Sequence, residues 1–213
     1  MSSSCGHNHD PNPKDLERSS FRRVLWLVIF INATMFGVEI FAGIKAGSVS
    51  LLADALDFLG DTLSYGLSLF VLNMALKVRA TVALVKGVSM GVFGLWVLGT
   101  VVWYALSDVV PDPIVMGTVG FAAFIANVVS ALVLYRFRSG DSNMRSVWVC
   151  SRNDALGNLA VIGAASGVFA LGTGIPDLIV GLIMASLALW GSVQVIRHAL
   201  VEIRTGKEKP HSH

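Results

Sequence analysis

The sequence predicts an all-α integral membrane protein, a six-helix transmembrane bundle with both termini in the cytoplasm. Three observations lead there. The 213 residues are 54% hydrophobic and only 14% charged, where soluble domains carry about 25% charged residues; the mean hydropathy is +0.68. Mostly apolar runs of about 20 residues, the length that crosses a bilayer, recur six times along the chain. With the N-terminus inside, every one of the 16 basic residues except Lys45 falls on the cytoplasmic side, and positive charge is retained on that side.

The elements follow in order. Residues 1–22 are polar, contain no apolar signal-peptide core, and read as a cytoplasmic tail. A transmembrane domain over 23–200 holds candidate spans at Val24–Ala46, Val49–Leu76, Thr81–Leu106, Ile114–Phe137, Ser146–Leu171 and Pro176–Leu200. Gly47-Ser48, Pro111-Asp112-Pro113 and the stretch from Gly172 to Pro176 mark short turns, and Pro113 and Pro176 suit the first turn of a helix, where the missing N–H costs nothing. The most polar loop is Arg138–Arg145. Residues 201–213 form a second cytoplasmic tail too short to bury a core, so no C-terminal soluble domain is expected. Small residues pair at four-residue spacing, Gly43 with Gly47, Gly87 with Gly91, Gly163 with Gly167 and Gly181 with Ala185, which lets helices approach closely in lipid. The partner of this surface is the lipid bilayer. The basic residues flank apolar runs instead of forming one patch, which excludes a nucleic-acid partner. Cys5 and Cys150 are too few for a disulfide framework.

Against this background the acids stand out. Asp54, Asp57 and Asp61 lie inside the second apolar run, and Asp154 lies near the start of the fifth, four residues after Cys150. Carboxylates at membrane depth are costly and mark ion or substrate pathways. Residues four apart share one helix face, so Asp57 and Asp61 project together from the second helix, and Cys150 and Asp154 from the fifth. Two such helices side by side bring three carboxylates and a thiol around one point. Zinc takes S, N and O ligands in a tetrahedron at about 2.0–2.3 Å, and a thiolate tilts selection toward zinc or cadmium. The metal is a transported substrate in this reading, and no cofactor is implied.

Other polar residues carry weaker readings. Asp54 can share the face of Asp57 as a secondary ligand, or instead cap or hydrogen-bond near the outer helix end, the reading favoured here. Asn158, one turn beyond Asp154, is an alternative to Cys150 as fourth ligand and otherwise an interhelical hydrogen-bonding residue. Glu39, two turns beyond Asn32, is expected near the outer interface, and Lys86 and Arg152 near the inner one, snorkelling toward water. Cys5, His7 and His9 in the first tail, echoed by His211 and His213, offer metal capture, since short His/Cys tracts bind metal.

The stretch from Ser50 to Asp61 (SLLADALDFLGD) and the stretch from Cys150 to Asn158 (CSRNDALGN) resemble the paired signatures of the cation diffusion facilitator family of divalent-metal/proton antiporters. The first signature ends in His/Asp-x-x-x-Asp, here Asp57 with Asp61, and the second carries His-x-x-x-Asp, here Cys150 with Asp154; Cys150 stands where His is usual, which leaves Cys150, Asn158 or water as the fourth ligand. The resemblance covers residues 22–200 and implies export of zinc, with cadmium, from the cytoplasm in exchange for protons by alternating access, by a multi-pass protein of the bacterial inner (plasma) membrane. It further implies a homodimer, resting here on transmembrane contacts, in a subgroup that lacks the usual C-terminal domain. Two rival classes are a passive divalent-cation channel, which favours rings of groups around a pore, and an intramembrane metal-dependent enzyme. The second lacks an HExxH motif.

Overall fold

A computed structural model describes residues 13–70, 75–137 and 142–205, all of which build six helices and their connections, with no strand among them. The helices are α1 (Pro13–Ala46), α2 (Val49–Phe70), α3 (Leu76–Leu106), α4 (Pro113–Leu134), α5 (Ser142–Leu171) and α6 (Ile175–Thr205), with a single 3-10 turn, Tyr135–Phe137, extending α4. Five of them are long and apolar enough by themselves to cross a membrane. The exception, α2, carries three aspartates within its first thirteen residues, and only its company of other helices lets it cross. The cytoplasmic ends run further than the hydropathy predicts: α1 starts at Pro13 inside the expected tail, and α6 continues to Thr205. Backbone hydrogen bonding does not stop where the apolar run stops, and hydropathy sees only the latter.

The chain runs up and down. At one end, three connections meet. Gly47, at φ +69°, lets Ser48 N–H return to the Gly43 carbonyl at 2.9 Å and closes α1. Asp112 N–H donates to the Ala46 carbonyl at 3.0 Å, while the Asp112 side chain caps α4 through Ile114 and Val115 N–H at 2.9 and 3.2 Å. Gly174 lies against the same spot, where a Cβ would sit 2.3 Å from the Val109 carbonyl oxygen. At the opposite end, Phe21, Leu25 and Val28 of α1 pack with Tyr65 of α2, Leu134 of α4 and Phe137. Antiparallel neighbours and short turns thus put the start of α1 and the end of α6 on that face, which the basic residues mark as cytoplasmic.

The outside of the bundle is apolar, as lipid demands: Phe41 is 72% exposed and Leu106 80%. Inside, α2 is the enclosed helix. Leu51 through Leu56 are all buried, and α2 touches α1, α3, α5 and α6. Small residues admit that closeness. Gly181 of α6 lies against the backbone of Val49 and Ser50, and Gly87 and Gly91 of α3 face Ile196 and Ser192 of α6, where the Ser192 hydroxyl donates to the Gly87 carbonyl at 2.7 Å. Most of the expected small-residue pairs therefore serve contacts within the bundle, whereas Gly163 faces open space.

The start of α2 is held by a buried acid of α6. Asp177, 1% exposed, accepts from the Ser48 hydroxyl at 2.7 Å, Val49 N–H at 2.8 Å and Ser50 N–H at 3.0 Å. A carboxylate at a helix N-terminus meets both unpaired donors and the positive end of the helix dipole. Replacing Asp177 with Ala strands three buried donors and should cost about 3 kcal/mol, read as a lower melting temperature in detergent. Asp177→Asn, which keeps one acceptor, should lose less; equal melting of Asp177→Ala and the unsubstituted protein would remove the anchor from this account.

Candidate metal centre

The contact between α2 and α5 joins the two halves of the predicted constellation. Asp61 and Asp154 face each other across it with their carboxyls in hydrogen-bonding range, and Asp57, one turn from Asp61, lies within Coulombic range of both. All three are partly buried. Two carboxylates approach this closely only with a proton or a cation between them. Asp61 is further held by Tyr65, whose hydroxyl donates to its Oδ2. The side chain of Cys150 lies outside the described set, although its backbone belongs to α5, one turn before Asp154. Cys5, His7 and His9, and with them His211 and His213, lie outside the described residues altogether. Among the described residues no three His, Cys, Asp or Glu side chains are grouped so that they could hold a metal ion.

Two other residues, Lys86 and Glu39, sit differently from the sequence expectation, and a third, Asp54, takes one of the two roles expected of it. Lys86 of α3 does not snorkel to the interface. Its ammonium donates to the Ser64 hydroxyl on α2 and lies within Coulombic range of Asp61, a tethered positive charge beside the acids. Of the two roles expected of Asp54 near the outer end of α2, capping is filled by Ser48, whose hydroxyl accepts from Leu51 N–H at 3.2 Å, and by Asp177, and hydrogen bonding is what Asp54 does. Asp54, 1% exposed, accepts from the Asn158 amide at 2.6 Å, and the Asn158 carbonyl accepts from Asn127 of α4 at 3.0 Å. Glu39, placed by its sequence position near the interface, is fully enclosed and faces Asp54. Closing the ends of α1 and α2 with a two-residue turn buries side chains that hydropathy places near water. Arg152 is exposed and lies over the Trp148 ring at 5.3 Å, as an interfacial cation would.

Sequence reasoning missed Asp177 and Asn127. Asp177 reads as an ordinary first-turn acid, and the clue to more was the Pro-Asp step opposite Ser48-x-Ser50. Asn127 is the only amide in α4, an intramembrane polar residue that by itself calls for a partner.

The profile of the cation efflux transmembrane domain matches residues 25–203. The chain belongs to the cation efflux family. It is 31% identical over 155 residues to a proton-coupled zinc antiporter of Xenopus laevis, SLC30A8, covering 64% of this chain and 41% of that protein. It is 23% identical over 217 residues to the zinc transporter ZitB of Escherichia coli, covering 94% and 68%. Over 220 residues it is 26% identical to a cadmium, cobalt and zinc/H(+)-K(+) antiporter of Bacillus subtilis, covering 92% and 67%. The match thus takes in most of this cation efflux chain, but only about four-tenths of the frog protein's length and about two-thirds of the bacterial ones.

Both polar groups of Asn158 are occupied by protein partners, which bears on the fourth ligand. Asn158→Leu should destabilise the fold by about 2 kcal/mol, because Asp54 and Asn127 lose a buried partner, while zinc affinity of the folded fraction stays nearly unchanged. A loss of zinc affinity in Asn158→Leu as large as in Asp154→Ala would make Asn158 a ligand.

Proposed function

We propose that this cation efflux protein is a secondary transporter that carries a divalent transition metal, zinc and also cadmium, out of the cytoplasm in exchange for protons. The observation that carries the reading is the opposed pair Asp61 and Asp154, with Asp57 one turn away, at the contact of two membrane-depth helices. Asp57, Asp61 and Asp154 are the proposed oxygen ligands, and Cys150, one turn from Asp154, supplies the fourth as a thiolate. The relatives support the choice of ion and of coupling: their names include zinc, cadmium and cobalt, and protons as the counter-ion.

The mechanism follows from charge. Three carboxylates and a thiol crowded in a low-dielectric interior cannot all ionise without a counter-charge. Without metal the set holds protons. A divalent cation needs deprotonated ligands, so its binding expels them. Metal and protons therefore compete for the same atoms. If the helices expose these atoms first to one side of the membrane and then to the other, competition becomes exchange. Lys86 keeps positive charge beside Asp61, which partly offsets the acids while no metal is bound and opposes retention of the metal once it is. The cysteine and histidines of the first tail would collect ions on the cytoplasmic face, and a homodimer would form through exposed transmembrane faces. The setting is a plasma membrane of bacterial inner-membrane type.

A channel would not saturate or need a proton gradient, and an enzyme would need an activated water and a base. Three experiments test the reading. Asp57→Ala, Asp61→Ala and Asp154→Ala should each abolish zinc uptake into inside-out proteoliposomes while the proteins stay monodisperse; full transport by Asp61→Ala contradicts the site. Because low pH protonates the ligands, zinc affinity should fall steadily as pH is lowered, and zinc flux should vanish when the pH gradient is collapsed. Cys150→Ser should weaken cadmium binding more than zinc, by about tenfold for a lost thiolate; an unaltered ratio gives the fourth position to water.

A further inference from the structure

Outward of the metal-binding acids lies a second group of buried polar side chains that metal binding does not use. Glu39 of α1 is 0% exposed and neither of its carboxyl oxygens meets a donor. What it faces is the carboxyl of Asp54 on α2. Asp54 in turn accepts from the Asn158 amide at 2.6 Å, and Asn158 accepts from Asn127, so one connected line of side chains crosses α1, α2, α5 and α4. Along α2, at a rise of 1.5 Å per residue, Asp54 stands about 10 Å from Asp61 toward the outer end of the helix.

The charged groups facing this pair do not neutralise it. Asp57 on α2 and Asp154 on α5 are acids; Lys86 on α3 is directed to Ser64 and Asp61; Asp177 on α6 is spent on the first turn of α2. On α4 the facing group is the neutral Asn127. Two buried carboxylates in contact, with no cation among the described residues directed at them, repel strongly in low dielectric. A proton between them removes that repulsion, because one carboxyl becomes a donor to the other. The Asn158 amide selects the proton over a metal: it presents an N–H to Asp54, which satisfies an anion and repels a cation.

We propose that Glu39 and Asp54 form a proton-binding site of their own, distinct from the metal ligands and lying between them and the outer face. The loaded pair shares a single proton, O–H on one carboxyl and acceptor on the other, and keeps one negative charge, which the Asn158 N–H meets. The empty pair carries two. Asn158 and Asn127 are positioning residues that fix which way Asp54 points. The existence of this site stands apart from the metal-transport reading, while its use as a proton station for exchange rests on that reading.

The test is infrared spectroscopy of the full chain in lipid nanodiscs at neutral pH, with zinc as the metal probe. The expected result is a protonated-carboxyl C=O band that persists at saturating zinc and is lost in Glu39→Gln. Zinc affinity of Glu39→Gln should change by less than about twofold, as for sites without shared partners. Should Glu39→Gln fail to fold, Asp54→Asn gives the same readout, and carbon-13 labelling of glutamate and aspartate assigns the band with no substitution at all. Absence of the band in the unsubstituted protein, its loss on zinc loading, or its loss when potassium replaces choline would each overturn the proposal, the last by assigning the pocket to an alkali cation. In Asp57→Ala the band should remain. Zinc binding retained by Asp57→Ala would sink the metal site and leave the proton site standing.

Discussion

Carboxylates cannot stay charged and unpartnered inside a hydrocarbon layer, and that single constraint organises this molecule. A transmembrane helix with three aspartates is excluded from lipid on its own. It persists here because four other helices touch it and because its acids meet other polar groups: Asp54 faces Asn158 and Glu39, Asp61 faces Asp154 and Tyr65, and Asp57 lies within Coulombic range of Asp54, Asp61 and Asp154. The rest of the bundle is arranged to make that enclosure possible. Gly181 brings α6 onto the first turn of α2, and Asp177 then ties the two together through Ser48, Val49 and Ser50. The glycines of α3 draw it onto α6 in the same way.

Enclosure of this kind leaves charge neutrality to be supplied by something mobile. Protons and divalent metal ions are the two agents that suit carboxylates at close range, and each excludes the other from the same oxygens. An exchanger needs little more than a cluster where that exclusion operates and a bundle that opens on alternate sides. The fixed ammonium of Lys86 beside Asp61 supplies part of the positive charge without mobility. On the proposal of a separate proton site, the polar line through Glu39, Asp54, Asn158 and Asn127 would hold a proton without displacing metal.

Much of this was legible from the residues. Apolar runs gave the six helices, basic residues gave their direction, and the four-residue spacing of Asp57 with Asp61 placed two acids on one face. The ends of the helices were not legible, because α1 and α6 continue as hydrogen-bonded backbone through residues that hydropathy counts as loop or tail. Nor were the depths of polar side chains. Glu39 sits only seven residues before the end of α1, which suggests water nearby, yet the tight turn at Gly47-Ser48 folds α2 over it. Lys86 turns inward because Ser64 and Asp61 offer it an acceptor and a charge, information that lies on another helix and not in its own neighbourhood. Asp177 hid for the same reason: an acid in the first turn of α6 looks like a helix-dipole residue of α6, whereas its partners are on α2.

The central claim is that Asp57, Asp61 and Asp154 share one divalent ion between α2 and α5. Anomalous diffraction from crystals grown with zinc tests it most directly. The account predicts a single zinc peak between these helices, about 2.0–2.2 Å from oxygens of all three aspartates, with sulfur of Cys150 or a water completing the tetrahedron. A zinc peak elsewhere in the membrane domain, with these three carboxyls not coordinating it, would contradict the claim.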